Sequence, residues 1–377
     1  MAVLSVNAGS SSLKVSVFDR ADLSQPRASL AIEDIEAGIT ALRTAVQKVQ
    51  DWLQGELSLQ QTDIEAIGHR VVHGGERYSS AALITHDLLF YLESITPLAP
   101  NHMPSALASI SAFSSAYPDA KQVACFDTCF FHDIPDVAKT LPIPLTLQKE
   151  SGIRRYGFHG LAYQGLLDSF RQHEGEAAYK GRVILAHLGS GASLTAVENG
   201  KPIDMSMGFT PISGIMMSTR SGDLEPGVLT YLATQKHMTT GAISHLLSHQ
   251  SGLLGVSEMT ADMHALLDNQ QQNPKAALAI DLFCYKIKKQ IGAYAAALGG
   301  VDSIIFSGGI GERSAEIRAR ILQGLEFLGI VVDKTLNAKN SRLISADGSI
   351  VGVHVIPARE EYSIITQTIA VINGGTH

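Results

Sequence analysis

The stretch Val3-Leu-Ser-Val-Asn-Ala-Gly-Ser-Ser-Ser-Leu-Lys-Val-Ser-Val-Phe18 sets two short apolar segments on either side of a small, hydroxyl-rich turn. Leu13, Val15 and Val17 alternate with Lys14 and Ser16, the period-2 pattern of a half-buried strand. Gly9 lets the backbone turn and lets a ligand approach closely. Ser10, Ser11 and Ser12 offer hydroxyl donors and Lys14 a positive charge. A strand-turn-strand lined in this way suits a phosphate chain, and it differs from the Walker loop, whose glycine-rich turn runs into a helix. An ordinary polar hairpin would read the same way in isolation.

A second copy tips that balance. Residues Val183 to Val197 run an apolar strand into Gly189-Ser190-Gly191-Ala192-Ser193 and out through Leu194-Thr195-Ala196-Val197, with the turn pair Asn199-Gly200 behind it. A third segment, Ser303-Ile-Ile-Phe-Ser-Gly-Gly-Ile-Gly311, again sends a β-branched strand into glycines. Two such hairpins about 180 residues apart point to two related halves facing one cleft. The glycines of the third segment would let an adenosine lie against backbone.

The residues between these turns resemble the acetate/propionate kinase family, within the sugar kinase, heat-shock chaperone and actin superfamily. The matching stretches are Asn7-Ala-Gly-Ser-Ser-Ser-Leu-Lys14, Gly68-His-Arg-Val-Val-His-Gly-Gly-Glu76, Phe126-Asp-Thr128, Arg155-Tyr-Gly-Phe-His-Gly160, His187-Leu-Gly189, Met207-Gly-Phe-Thr-Pro211, Thr219-Arg220, Gly308-Gly-Ile-Gly-Glu312 and Glu360-Glu361, in family order. The resemblance implies an α/β fold of two related actin-like, ribonuclease H-like domains around a central cleft. Residues 1–128 and 362–377 would form the N-terminal domain, with the carboxylate side and the first phosphate hairpin. Residues 129–361 would form the C-terminal domain, with nucleotide binding and a dimer interface. The implied activity is reversible, Mg²⁺-dependent, in-line phosphoryl transfer from ATP to a short-chain carboxylate, acetate first, giving acetyl phosphate and ADP. Mn²⁺ is the alternative metal, and the implied assembly is a homodimer.

Composition narrows the classes. The chain has 377 residues, enough for two domains, and 45% of them are hydrophobic, which supports a sizeable core. A net charge of −7 without a long basic run argues against nucleic acid as a partner. No apolar stretch is long enough for a membrane span, and the apolar start lacks the basic flank of a secretory signal. Cys125, Cys129 and Cys284 cannot all pair, which fits buried thiols in a cytoplasmic protein better than a metal site.

Alternating strands and helices support the α/β class. Helical spacing runs from Thr40 to Leu53, and strands read at Ala66–Val72 and Lys121–Phe126. Asn273-Pro274 looks like an N-cap and first-turn proline for a helix reaching Leu298, with Leu278, Leu282, Tyr285, Ile287, Ile291, Tyr294 and Leu298 on a stripe for a core or a subunit interface. Ile317, Ile321, Leu325 and Leu328 form another helical face closed by Gly329, and a last helix lies near Tyr362–Ile372.

Phosphoryl transfer to a carboxylate needs positioning and charge neutralisation more than covalent help. The acceptor is already ionised at pH 7, so no general base is required. Arginine suits the task because its fork holds carboxylate or phosphate oxygens bidentately. By resemblance Arg70 holds the carboxylate and Arg220 the transferring group, although each alone reads as an ion-pair arginine. Asp127, directly after a strand, is placed to hold Mg²⁺, with Glu360 as the second metal-side carboxylate (Glu361 its neighbour) and Asn7 as a further metal or phosphate contact. A turn cap is the plainer reading of Asp127. His159 resembles the family histidine on the transferring phosphoryl group. Ser10, Ser12, Lys14, His187, Gly189, Ser190 and Gly191 would hold phosphates. Asp262, Met263, His264, Gly308, Gly309, Ile310 and Gly311 would hold the nucleoside. Val72, Asn101, His102, Phe158 and Pro211 would line the acid. His69 and His73 share i,i+4 spacing on a strand-like segment, where it makes no close pair, and they read as structural.

The chain departs from the family around these ligands. Asn101 stands where a leucine lines the acyl pocket, so either the acid carries a polar substituent or Asn101 turns away. Residues 161–163 lack the usual Thr-Ser-His, Ser190 replaces an asparagine, Met263 and His264 replace a phenylalanine and an arginine, and Arg359 replaces an asparagine. Retained phosphoryl transfer with altered preference is the expectation. Propionate or another acid, a different phosphoryl donor, and a nucleotide-binding regulator without turnover are the alternatives.

Overall fold

The computed structural model describes residues 1–9, 11–36 and 38–375. The chain divides into two compact units: Met1–His132 with Phe158–Gly165 and the chain from Arg359 onward, and Asp133–Gly157 with Leu166–Ala358.

The first unit is built on six strands, β1 (Ala2–Ala8), β2 (Leu13–Asp19), β3 (Ala28–Ile32), β4 (Ile64–Val71), β5 (Ala82–Leu83) and β6 (Lys121–Phe126), in the order β3-β2-β1-β4-β6-β5. The opening stretch forms the expected antiparallel hairpin, with Asn7 opposite Lys14 and Ala8 opposite Leu13. β4 and β6 then add in parallel. Parallel strands are buried on both faces, which is why β1 is apolar at nearly every position. Its side chains alternate between two cores. Leu4 and Val6 pack with Val15, Val17 and Phe113 and with Val46, Val49 and Leu53 of the Ile39–Leu57 helix. Val3 and Phe18 pack with Ala66 and with Ile365 of the Glu360–Ile372 helix. Each such apolar side chain contributes about 1.5–3 kcal/mol on burial. A Cβ on Gly68 would collide with Thr368 and lie 2.7 Å from Ile364. That glycine therefore lets the last helix lie close on β4 and fixes where Glu360 begins it.

The second unit has β7 (Arg182–Leu188), β8 (Ala192–Glu198), β9 (Lys201–Met205), β10 (Ser303–Ser307) and β11 (Gly352–Val355), ordered β11-β10-β7-β8-β9. β7, β8 and β9 are antiparallel neighbours, while β10 and β11 add in parallel. This repeats β6-β4-β1-β2-β3 strand for strand, so the two related halves inferred from the hairpins are present. Asn273 caps the Pro274–Ala297 helix by accepting from the amides of Lys275 (3.0 Å) and Ala276 (3.3 Å). Among the described residues no helix is long and apolar enough to cross a membrane.

Several boundaries differ from the sequence expectation. The Thr40–Leu53 helix spans Ile39–Leu57, and the Ala66–Val72 strand spans Ile64–Val71. The last helix starts at Glu360, so both glutamates lie in its first turn. The face from Ile317 to Leu328 is split: one helix covers Ala315–Leu322, Gly324 at φ +85° breaks it, and a short 3₁₀ turn covers Glu326–Leu328. The stripe on Pro274–Ala297 is also split, with Ile287, Ile291 and Tyr294 buried, Leu278 and Tyr285 exposed, and Leu282 and Leu298 half-buried. The third glycine segment is a strand running into a helix, Gly308–Arg313.

Candidate active site

In the first unit, parallel strand ends bring four polar side chains together. Arg70 emerges from the end of β4, Asp127 follows β6, Asn7 ends β1 and Glu360 opens the last helix. Arg70 donates to Asp127 Oδ2 through Nε (3.1 Å) and Nη2 (2.8 Å). Its Nη1 lies 3.2 Å from Glu360 Oε2 and 3.4 Å from Asn7 Oδ1. Asn7 Nδ2 closes the ring by donating to Glu360 Oε2 at 2.9 Å. Asp127 is 1% exposed and its amide is tied to the Val71 carbonyl at 3.0 Å. Burial raises the Asp127 pKa above the usual carboxylate range; the charge of Arg70 opposes that rise and the neighbouring Glu360 adds to it. Burial works against the Arg70 cation too, but Asp127 and Glu360 overcome it and hold its pKa above the ordinary arginine value.

One cation against two carboxylates leaves this cluster anionic. Asp127 Oδ1 is buried and makes no hydrogen bond of good geometry. A buried carboxylate whose Oδ1 has no well-aligned donor, with the Leu161 amide, besides Arg70, near enough to favour its charge, fits a hard divalent cation beside a second carboxylate and an amide oxygen. Among the described residues no three His, Cys, Asp or Glu side chains gather as a metal cage. Mg²⁺ suits such an incomplete set, because it commonly takes one or two carboxylates and completes its shell with water and substrate phosphates.

The helix Gly160–Tyr179 begins beside this cluster. A Cβ on Gly160 would collide with the Asp127 carbonyl oxygen and lie 2.7 Å from Phe130 Cβ, so only glycine permits the approach. The preceding turn holds Gly157 at φ +74° and His159 at φ +61°, an uncommon conformation for a side-chain-bearing residue and a form of strain that concentrates at functional sites. His159 is half-buried and its carbonyl accepts from the Tyr163 amide at 3.0 Å. Phe158 is buried edge-on to His73, with 5.7 Å between ring centroids. Val72 packs against the cluster of Val71, Leu88 and Met103. His102 is half-buried at the head of the Met103–Ala116 helix, whereas Asn101 is exposed. In the β1–β2 turn the Gly9 amide donates to the Ser12 carbonyl at 2.8 Å; Ser12 is half-buried and Lys14 exposed, and Ser10 lies outside the described residues. His69 and His73 are buried, His69 bonding Gln122 Oε1 at 2.8 Å and His73 Nδ1 accepting from the Gly75 amide at 2.8 Å.

In the second unit, the β7–β8 turn, the segment 217–220 and the Gly308–Arg313 turn assemble. The Gly189 amide donates to the Gly191 carbonyl at 3.0 Å, and the Ser190 carbonyl accepts from Ser218 at 3.2 Å. His187 pairs in register with Ser193 on one side and Ser307 on the other. Arg220 Nη1 donates to the Pro211 carbonyl at 2.7 Å, which joins two expected site residues directly. Gly308 (φ +75°) would place a Cβ 2.6 Å from the Leu188 carbonyl oxygen, while Gly309 is exposed and would place one in open space. Gly311 is buried and Ile310 half-buried. Asp262 instead caps the Met263–Asn269 helix, its Oδ1 accepting from Ala265 at 2.8 Å. Met263 is buried, and exposed His264 pairs with Asp268 at 3.0 Å. Those two side chains are thus engaged in packing and in a surface pair.

Three supporting residues escaped the sequence reading. Arg155 ties the approach to His159 to β9, through Asp204 Oδ1 (2.9 Å) and the carbonyls of Ala138 (2.6 Å) and Met205. Glu312 and Arg318 brace the glycine turn. Arg155 and Glu312 lie in family-like stretches, but nothing there indicates a brace, and Arg318 interrupts an apolar face without any local motif.

Comparison with known proteins identifies the family. The profile of the acetokinase family matches residues 2–366. The chain is 41% identical to an acetate kinase of Brachyspira hyodysenteriae, over 98% of this chain and 99% of the relative. It is 39% identical to a propionate kinase of Citrobacter rodentium, over 96% and 94%. The crystal structure of the Porphyromonas gingivalis acetate kinase superposes with a TM-score of 0.87 at 35% identity, over 98% of this chain and 99% of that one. A propionate kinase from Francisella tularensis superposes with a TM-score of 0.89 at 31% identity, over the same shares. Matched along nearly its whole length in sequence and in fold, the chain belongs to the acetokinase family.

Proposed function

We propose that this chain is a Mg²⁺-dependent kinase that moves the γ-phosphoryl group of ATP reversibly onto a carboxylate oxygen of a short-chain acid, acetate by default. The observation that carries this reading is the Arg70–Asp127–Glu360–Asn7 ring, a fixed arginine fork beside two carboxylates. Arg70 presents a permanent cation to an anionic acceptor and lowers its repulsion from the phosphoryl group. Its Asp127 and Glu360 contacts hold the fork in one orientation, so little reorganisation is needed during the reaction. Asp127 and Glu360 would hold Mg²⁺, with Asn7 beside them; the ion supplies neutralisation of phosphate charge. His159 donates to the phosphoryl group without acting as a base. Arg220, steadied by the Pro211 carbonyl, offsets charge that builds on the transferring group.

The nucleotide is assigned to the second unit, to His187, Gly189–Gly191 and Gly308–Gly311. Gly309 supports this: its φ is ordinary and nothing crowds it, so a ligand's approach accounts for a glycine there better than the fold does. Met263 and His264 contribute through the Asp262-capped helix rather than as a ring and a cation over the base. Apolar Val72, Phe158 and Pro211 favour a small acyl group, and exposed Asn101 leaves that preference unchanged by keeping its amide in water. The unit of Met1–His132, Phe158–Gly165 and the chain from Arg359 would handle the acid, and the unit of Asp133–Gly157 with Leu166–Ala358 the nucleotide and dimerisation. The Pro226–Thr234 helix, which has no buried residue and exposes Val228, Leu229 and Tyr231, supports a homodimer. Three unbonded cysteines fit a cytoplasmic enzyme.

Acyl phosphate trapped by hydroxylamine, from Mg-ATP and a panel of acetate, propionate and polar-substituted acids, tests the proposal. Acetate should be the best or near-best acceptor. A clear preference for a polar acid would move the substrate assignment to Asn101, and no product from any acid would overturn the kinase reading.

A further inference from the structure

We infer that Glu312 and Arg318 are positioning residues that freeze the Gly308–Arg313 turn in the shape that receives the nucleotide; this rests on the assignment of that turn to nucleotide binding. A run of Gly308, Gly309 and Gly311 gives close backbone approach at the cost of a large loss of freedom on ordering. Something besides the glycines must therefore fix the turn before a ligand arrives, or the ligand itself must order it.

Two side chains grip the turn from its two ends. One oxygen of Glu312, Oε1, accepts from the Gly308 amide at 2.8 Å and from the Ala358 amide at 3.0 Å, and lies 3.4 Å from Ser307 Oγ. Glu312 thus folds back over the start of its own helix and ties it to the chain that leaves β11. Ser307 ends β10 and Ala358 follows its parallel neighbour β11, so the turn is referred to the rigid part of the sheet.

At the other end, Arg318 is fully buried and bonds from all three guanidinium nitrogens. Its Nη1 donates to the carbonyls of Gly311 (2.7 Å) and Glu312 (3.0 Å). Nε donates to Asn337 Oδ1 (2.8 Å), and Nη2 to the Asn337 carbonyl (2.8 Å) and to Asn340 Oδ1 (2.6 Å). Every one of these acceptors is a neutral oxygen. A buried cation held without a carboxylate is an expensive way to stabilise a fold, and a packed apolar side chain would serve packing alone better. What the guanidinium uniquely offers is a planar fork that anchors on Asn337 and Asn340 through Nε and Nη2 while holding Nη1 against two successive turn carbonyls; the single ammonium of lysine cannot span both sets. Asn337 is held for this job, its Nδ2 donating to the Ala315 carbonyl at 2.8 Å. Between the two grips, exposed Gly309 is left as the open backbone surface.

The test is calorimetric binding of ADP to the full-length protein and its variants, alongside the KM values for ATP and acetate and a melting curve. Glu312→Ala should weaken ADP binding and raise the ATP KM at least tenfold, with the acetate KM within twofold of wild type. Glu312→Gln keeps the acceptor oxygen and should restore most of the loss. Arg318→Lys should show the same selective loss of nucleotide affinity. Glu312→Ala that stays folded and binds ADP as wild type does would overturn the inference, as would a parallel rise in both KM values, which marks a general structural defect. Should Arg318→Lys not fold, the Glu312 pair decides. Wild type that makes acyl phosphate while Glu312→Ala binds normally would defeat this inference alone. Wild type that binds no ADP would defeat the nucleotide assignment beneath it.

Discussion

The two sheets share one strand order yet finish their strands with opposite chemistry. In the first unit, β1, β4 and β6 end in Asn7, Arg70 and Asp127, a charged set that holds itself together side chain to side chain. In the second, the matching β7, β10 and β11 end in His187, in Ser307 before Gly308, and in Val355 before Ile356 and Pro357. There the turns are organised through backbone, and the charged helpers Glu312 and Arg318 stand behind them. The difference shows what a duplicated fold leaves free. The scaffold dictates which chain ends converge, since parallel neighbours deliver their C-terminal ends to one edge. Whether that edge carries ions or exposed backbone is left to a few residues. An anionic acceptor and a metal call for the first kind, a nucleotide for the second.

The largest expected effect breaks the charged half. Arg70→Ala should cost about 3–4 kcal/mol or more of transition-state stabilisation, read as kcat/KM, because a fixed charge aimed at the reacting group is removed. It should also lower unfolding stability by about 3 kcal/mol, since buried Asp127 loses its partner. Arg70→Ala combined with Asp127→Ala should recover stability in a urea titration without recovering turnover. If the double variant is as unstable as the single, Asp127 does not depend on Arg70 and the charged set is misread.

Acid titration separates the halves next. Burial depresses the His69 pKa to about 4 from an ordinary 6.5, against the hydrogen bond it makes to Gln122 Oε1. Between those values the unfolded chain binds more protons than the folded one, so stability falls as pH falls from about 6.5 towards 4. The loss approaches about 3 kcal/mol at the acid end. His69→Gln should flatten that part of the pH–stability curve. Burial also lowers the pKa of His354 on β11, but Glu174, with Oε1 3.7 Å away, opposes the shift. His354→Gln should therefore flatten the curve less. Equal effects would remove the contrast.

Adjacent glycines sharpen the backbone half. Gly308→Ala meets the Leu188 carbonyl and an unfavourable φ, and should destabilise by about 2 kcal/mol in thermal or urea melts. Gly309→Ala meets nothing and should leave stability unchanged or raise it by up to about 1 kcal/mol, while raising the KM for ATP. A Gly309→Ala enzyme with wild-type nucleotide KM would mean the open surface is not used. The smallest effect is expected at Asn273→Ala, which should cost about 1 kcal/mol of stability through its lost helix cap and leave both KM values alone.

Local pattern carried much of this organisation. Alternation after Gly9, and apolar runs meeting small-residue turns at Gly9 and Gly189, disclosed both hairpins; the half-buried reading goes too far, since β2 is buried at all but Lys14 and Asp19, and β8 at all but Glu198. Asn273-Pro274 disclosed a helix start for an equally local reason. What escaped reading was set by tertiary context. Ser303–Gly311 looks like another strand and turn, but the Glu312 carboxylate folding onto the Gly308 amide makes the turn a helix. Leu278 and Tyr285 share the helical spacing of Ile287 and Ile291, yet only the neighbours decide which side is covered. Arg318 lies between apolar residues of a helical face, where sequence alone gives no reason to expect a buried cation. Of the candidate site residues that came by family likeness, Asn7, Arg70, Asp127 and Glu360 gather where strand ends meet. The departures at Asn101, Met263 and His264 fell on a loop or on a helix where solvent and packing, rather than a motif, set the side chain's place.

The most direct measurement is ATP formed from acetyl phosphate and Mg-ADP, followed for wild type and Arg70→Ala by a coupled assay. Wild type should produce ATP rapidly, and the variant should fall by at least two to three orders of magnitude, as expected for loss of a fixed charge at the reacting group. Wild-type turnover in the Arg70→Ala variant, with the protein folded, would contradict the claim that the Arg70 cluster carries phosphoryl transfer.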